Sequence, residues 1–188
     1  MSAAERLSRR FFARPADVVA HALIGQVLVC GERAGIVVET EAYLGPDDKA
    51  SHARFGATAR TSVMFGPGGV SYVYLIYGMY DMFNIVTGRD GEGQAVLVRA
   101  AHPERGIAGG PAAAAGPGKL CRAFGISRAR HHGVDLTASP ELFLARGSRV
   151  ARARVARGPR IGIDYAGEWA PVPLRFWLAG HPAVSRAR

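Results

Sequence analysis

The segment Glu39-Thr40-Glu41-Ala42-Tyr43, followed nine residues later by His52, gathers two carboxylates, a phenol and an imidazole within fourteen residues. Carboxylates so placed can take a proton from water or stand beside a developing cation, and aromatic rings can hold a flat substrate. Five of the fifteen acids (Glu32, Glu39, Glu41, Asp47 and Asp48) fall in this one stretch of a chain whose formal net charge is +9. They are not spread to balance the surface, so they need a chemical reason. A basic body around an acidic, aromatic pocket fits a protein that holds a nucleic acid and does chemistry on it.

The elements that must position these residues follow from hydrophobic periodicity. Pro15, then Val18, Val19, Ala22 and Leu23 at helical spacing and a stop at Gly25, predict a short amphipathic helix. Residues 26–30 and 34–43 read as strands. Strict alternation in the second puts Ile36, Val38, Thr40 and Ala42 on one face and Val37, Glu39, Glu41 and Tyr43 on the other. Alternation does not say which glutamate acts. Residues 44–69 read as a long functional loop rich in Gly, Asp, Ser and Arg. Strands are predicted over 70–77, 82–87 and 94–100, an antiparallel meander with glycine-bearing turns. Residues 106–118, low in complexity, read as a mobile loop, and 119–124 as a short helix stopped by Gly125. Sequential hairpins with helices elsewhere argue for an α+β fold in one domain spanning 1–188.

The basic charge is almost all arginine, since only Lys49 and Lys119 of the 24 basic residues are lysines. Arginine forks match phosphates bidentately, and the arginines recurring over 149–160 are candidate phosphate contacts against the plainer alternative of a solvated face. No segment approaches the ~18 apolar residues of a membrane span, so a soluble, cytoplasmic protein is expected. Cys30 and Cys121 cannot alone build a disulfide framework or a four-ligand zinc site, and both sit among apolar neighbours as buried thiols. The six histidines show no ligand-like pairing with acids or cysteines apart from the adjacent His131 and His132, so no metal is expected.

Two nucleotide motifs fail. Gly116-Pro117-Gly118-Lys119-Leu120 has Ala113 where a phosphate loop needs its first glycine and Leu120 where it needs Ser or Thr; Gly66-Pro67-Gly68 lacks a third glycine and precedes a strand. Tyr72, Tyr74, Tyr77 and Tyr80 cluster in nine residues. Core packing explains a strand tyrosine, but Tyr77 beside Gly78 at a hairpin end has little to pack against and could enter a base stack.

Together these segments resemble the alkyladenine (3-methyladenine) DNA glycosylase family. The resemblance rests on residues 38–46 (Val-Glu-Thr-Glu-Ala-Tyr-Leu-Gly-Pro), 50–52, 64–67, 72–80 with Asn84, 95–100, 116–120, and 160–163 running to 173–176. It implies a curved antiparallel sheet flanked by helices with a protruding β-hairpin. It implies Glu41 as the general base for water, Arg99 and the Ile161 backbone as supports of that water, and Tyr43, His52 and Tyr74 as the walls around a flipped base. Asn84 would crowd the exocyclic amine of normal guanine. Tyr77 would be the wedge entering the minor groove, with Met79 and Arg160 also on the DNA. The implied protein needs no cofactor and no metal, binds damaged double-stranded DNA as a monomer, and is associated with a bacterial nucleoid when on DNA. Lys49 and Lys119 are the only lysines and neither matches a Schiff-base amine in the family, so a hydrolase without strand cleavage is expected.

Two rivals remain from the residues alone. One is a non-catalytic module whose arginines bind phosphate and whose aromatics stack bases. The other is a nucleoside hydrolase using the Glu39/Glu41 or Asp47/Asp48 carboxylates, since same-face strand neighbours stand ~7 Å apart.

Overall fold

A computed structural model describes residues 5–185; the ends of the expected 1–188 domain lie outside the described residues. The long strand β2 (Arg33–Tyr43) is the axis of the molecule. Along one edge it pairs antiparallel with β5 (Gln94–Arg105). Its other edge is shared, with β1 (Val27–Cys30) on the first half and β8 (Arg175–Leu178) on the second. Beyond β5 lies the hairpin of β3 (Ser71–Ile76) and β4 (Tyr80–Thr87); β6 (Leu142–Ala145) flanks β1, and β7 (Val155–Gly158) flanks β8. The result is one eight-stranded, curved and unclosed antiparallel sheet with a few helices, an α+β domain as expected.

One face of the sheet is covered by helices α2 (Ala16–Leu23) and α3 (Pro117–Phe124), whose buried residues Val19, Leu23, Leu120 and Phe124 join Val37, Ala42, Val96 and Val98 in the main core. Two short helical turns, α1 (Arg9–Phe12) and α4 (Arg128–His131), complete the helices. Neither α1, α4, β6 nor β8 is long enough to show a period, and the sequence reading missed all four.

The alternation expected in β2 breaks in the middle. Val37 pairs with Ala101 and Glu39 with Ala100, so Val38 is an extra residue; Thr40 then pairs with Val98, which leaves Arg99 as the extra residue of β5. These are two β-bulges set back to back, a device that bends a sheet and re-aims side chains. Val37 therefore faces the helical core with Thr40 and Ala42, and not the Glu39 side as strict alternation had it.

Two loop expectations change as well. Residues 44–69 carry two 3-10 turns, His52–Phe55 and Ser62–Phe65, and bury Asp48, Ser51, Ala53 and Met64. Residues 106–118, expected as a mobile loop, instead form a 3-10 turn at Gly110–Ala114 and the start of α3, with Ala114 buried and Ala115 bridged to Ala100. Gly118 has a packing reason for being glycine. The Tyr80 ring lies 3.0 Å from where its Cβ would stand. No helix among the described residues is long and apolar enough to cross a membrane.

Candidate active site

Register alone assembles the floor of a cavity on the sheet face away from α2. Tyr72 pairs with Asn84, Asn84 with Leu97, Leu97 with Glu41 and Glu41 with Arg175, a single row across five strands. Directly opposed residues share a face, so the row presents a phenol, an amide, a carboxylate and a guanidinium on one surface. Asn84 and Glu41 stand two strands apart, about 10 Å at the usual interstrand spacing, with Leu97 between them. The cavity above holds about 280 Å³ and is lined by Glu41, Tyr43, His52, Tyr74, Asn84, Arg99 and Ile161 among others. It is smaller than the ~300–1,000 Å³ usual for drug-sized ligands and suits one flat ring system.

Glu41 is fully buried against bulk solvent yet borders this cavity. The Ile161 N–H donates to its Oε1 at 2.8 Å, Arg99 Nη1 reaches the same oxygen at 3.2 Å, and the Tyr43 hydroxyl donates to Oε2 at 3.0 Å. A carboxylate offers about four lone-pair sites, so one is left for a further donor such as water. The Ile161 N–H is thus spent on Glu41 itself, because a buried N–H takes the strongest acceptor in reach. Burial, and then the Glu41 charge, hold the Tyr43 phenol well above its ordinary range, so it stays a donor.

Glu39, the other candidate carboxylate, lies beneath the cavity without lining it. Its oxygens accept from Arg99 Nε at 2.9 Å, Arg175 Nε at 2.7 Å, and the N–H and hydroxyl of Ser185 at 2.7 and 2.8 Å. Burial works against the charged form of Arg99, but Glu41 and Glu39 outweigh it and its pKa stands above the ordinary value.

The aromatic walls come from two places. The imidazole of His52, on the first 3-10 turn, meets Tyr74 edge-on with ring centroids 4.6 Å apart, and its Nδ1 stands 3.0 Å from the Tyr72 hydroxyl. Burial, followed by the nearby charges of Arg60 and Arg54, lowers its pKa from 6.5 to about 4, so the ring is neutral at physiological pH. Tyr43 belongs to the other wall, under the Arg160 guanidinium at 4.7 Å. Asn84 turns its amide nitrogen to the Tyr72 and Met82 carbonyls, which fixes how its amide faces the cavity.

Arg160 was expected on DNA, but its guanidinium is buried. It forms a fork with Asp48 at 2.5 and 2.9 Å and donates to the Ala42 carbonyl. Those bonds leave no exposed N–H for a phosphate. The arginine instead ties the 44–50 loop and the Ile161 loop to the Tyr43 wall. The sequence reading missed this role for Arg160 and Asp48, because the two residues lie 112 positions apart. It also missed Arg60, which lines the cavity with its guanidinium 5.3 Å from the Tyr74 ring.

Tyr77 and Met79 project from the β3–β4 turn, 83% and 66% exposed. Tyr77 has φ 52°, the sole non-glycine positive φ among the described residues, and Gly78 follows at 68°. Met79 N–H closes the turn on the Ile76 carbonyl at 3.2 Å. Two positive φ angles in succession are what a type I′ hairpin requires. Asp81 accepts from the Arg128 N–H at the start of α4 at 3.0 Å, docking the hairpin base on that turn.

The expectation that no histidine pairs with an acid or cysteine fails at one place, where Cys30, His131 and Glu141 come within ligand distance of one another. The donor set does not fit a metal. His131 Nδ1 accepts the Ser127 N–H at 3.0 Å, so its proton sits on Nε2, the nitrogen that faces Cys30 and Glu141. Burial, and then Glu141, also push the Cys30 thiol up, away from the thiolate a metal needs. Both cysteines are free and buried.

The methylpurine-DNA glycosylase (MPG) family matches residues 10–182. A protein of Myxococcus xanthus (strain DK1622) is 51% identical over 184 residues, covering 96% of this chain and 93% of the relative. A protein of Anaeromyxobacter sp. (strain Fw109-5) is 49% identical over 186 residues, covering 97% and 93%. A protein of Methanocella arvoryzae (strain DSM 22066 / NBRC 105507 / MRE50) is 47% identical over 194 residues, covering 96% of each. All three carry the provisional name of 3-methyladenine DNA glycosylase. By matches of this extent to the family and to its members, the chain belongs to the methylpurine-DNA glycosylase family.

Proposed function

We propose that the protein is a monofunctional DNA glycosylase. An alkylated purine, rotated out of duplex DNA, enters the cavity, and water activated by Glu41 hydrolyses its N-glycosidic bond. The observation that carries this reading is that Glu41 is the one carboxylate among the described residues lining an aromatic cavity sized for a single base. Family membership and the names of the relatives support the reaction class.

Loss of a base from deoxyribose passes through a cationic, oxocarbenium-like state. An anionic Glu41 both accepts the proton of the attacking water and opposes that positive charge. Arg99 and the Ile161 N–H hold the carboxylate in place. A purine methylated at N3 or N7 already carries positive charge and leaves without a general acid. Such a ring is held between the Tyr43 wall and the His52–Tyr74 wall, where electron-rich faces favour a cation. Tyr77, with Met79 beside it, fills the space left in the stack from the minor-groove side.

The nucleoside-hydrolase reading loses support from its carboxylate pairs. The Glu39/Glu41 pair is divided, with Glu39 engaged by four donors outside the cavity, and Asp48 is locked to Arg160. Neither lysine lines the cavity, and Lys49 pairs with Glu168 at 2.8 Å, so neither lysine amine is placed for a Schiff base. The chain is accordingly expected to release base without cutting the strand.

Glu41→Gln is the direct test. A general base is worth about 10²–10⁴ in rate, and the variant should lose at least that much base release from methylated duplex while still binding the lesion. Base release at the parental rate would remove Glu41 from the mechanism.

A further inference from the structure

We propose that Glu39, Arg175 and Ser185 are positioning residues that hold Arg99 off Glu41 and thereby set how basic Glu41 is. The inference rests on the reading of Glu41 as the base.

An arginine beside a carboxylate in a dry site closes into a two-bond fork, the strongest pairing available to both. Such a fork would occupy the lone pairs that an attacking water needs and would hold the carboxylate so low in pKa that it made a poor base. Arg99 does not form one with Glu41. Its Nε is drawn to Glu39 at 2.9 Å, its Nη2 reaches the Ser185 hydroxyl at 3.4 Å, and only Nη1 is left for Glu41, at 3.2 Å. The guanidinium is therefore fixed at three corners by three different partners.

Glu39 has enough donors to win that contest. It is fully buried, and beyond Arg99 it takes Arg175 Nε at 2.7 Å and both donors of Ser185. Arg175 in turn donates to the Ser185 carbonyl at 3.1 Å, so the C-terminal segment is stitched over the back of the group. The two bulges make the arrangement possible. Arg99 is the extra residue of β5, and Glu39 follows the extra residue of β2, so the two meet at the bend of the sheet, on the face that carries Glu41 and Leu97.

The charges balance. Glu39 faces Arg99 on β5 and Arg175 on β8; Glu41 faces Arg99, the Tyr43 hydroxyl and, farther off, the Tyr74 phenol. Two carboxylates and two guanidiniums thus share one buried cluster of zero net charge. Removing either outer member leaves a net charge of known sign next to Glu41, which a purely structural role would not translate into a change of basicity.

The test is the pH profile of single-turnover base release from a duplex carrying one 7-methylguanine, whose charge is fixed by methylation. Opposite charges within ~4–6 Å shift a carboxylate by about 1–3 pH units. Glu39→Gln leaves Arg99 undivided on Glu41, so the acid limb should move down by about one unit and the plateau rate fall roughly tenfold to a hundredfold. Arg175→Gln leaves excess negative charge and should move the limb up by a similar amount. The double variant, neutral again, should return the limb to within about 0.3 unit of the parent. Shifts of the same sign in the two single variants, or no shift, overturn the proposal.

Should the charge variants fail to fold, Ser185→Ala retains every charge but removes one donor to Glu39 and one acceptor for Arg99. It should lower the plateau roughly threefold to tenfold with lesion binding unchanged, by the loss of a single supporting hydrogen bond; a parental plateau rate would then overturn the proposal. Glu41→Gln separates the two levels. If it excises normally, the reading of Glu41 fails; if it is inactive while Glu39→Gln matches the parent, only the clamp fails.

Discussion

At the scale of single residues, neighbours decide chemistry that residue type leaves open. Glu39 and Glu41 are two positions apart on one strand, yet one takes four buried donors beneath the cavity and the other keeps a lone pair towards it. His52 shows the same dependence. Its folded pKa of about 4 lies below the ordinary 6.5, so the unfolded chain binds more protons between those values. Stability should therefore be full above about pH 6.5 and decline as pH falls towards about 4. His21 and His181, also lowered chiefly by burial, act in the same sense. Denaturant midpoints measured from pH 7 to 4 should fall for the parent and fall less steeply for His52→Gln. Identical slopes would mean that His52 is not held neutral.

At the scale of elements, the β3–β4 hairpin carries local strain where function is proposed. A left-handed backbone costs a residue with a side chain roughly 1–2 kcal/mol, and Tyr77 bears it while staying 83% exposed, with no burial to offset it. Tyr77→Asn would create the Asn-Gly pair that type I′ turns favour. The variant should be neutral or up to about 1 kcal/mol more stable by chemical denaturation. It should also lose about 1–3 kcal/mol in binding to lesion duplex, the usual worth of an aromatic ring against a base. Unchanged binding in a folded variant would reduce Tyr77 to a turn residue.

At the scale of the whole molecule, the basic charge has two faces. Phe176 and Arg157 are opposed across β7 and β8, and the Phe176 ring lies 5.9 Å from His21 of α2, so Arg157 sits on the helical side of the sheet. Arg14, Arg149 and Arg152 line the same groove there, away from Glu41. Arg149, Arg152 and Arg157, three of the phosphate contacts expected over residues 149–160, therefore lie on the face opposite the cavity. Each phosphate contact contributes about 0.9 to the slope of log affinity against log salt. Replacing Arg149 and Arg152 together by Gln should leave that slope unchanged for lesion duplex. A slope lower by about 1.8 would show that the bound DNA reaches round to them.

The sequence by itself determined the sheet, most strand positions and the chemical candidates, because periodicity and residue type are local properties. Strand signals in the sequence found β2, β3 and β4 within two residues of their ends. Resemblance to a family supplied Glu41, Arg99 and the aromatic walls. Only the tertiary structure decided which glutamate meets the cavity, where Arg160 goes, and that Val37 faces the helices. Each of those turns on a contact between distant segments, or on a bulge that changes the face of every residue after it, and neither leaves a mark in the spacing of residues along the chain.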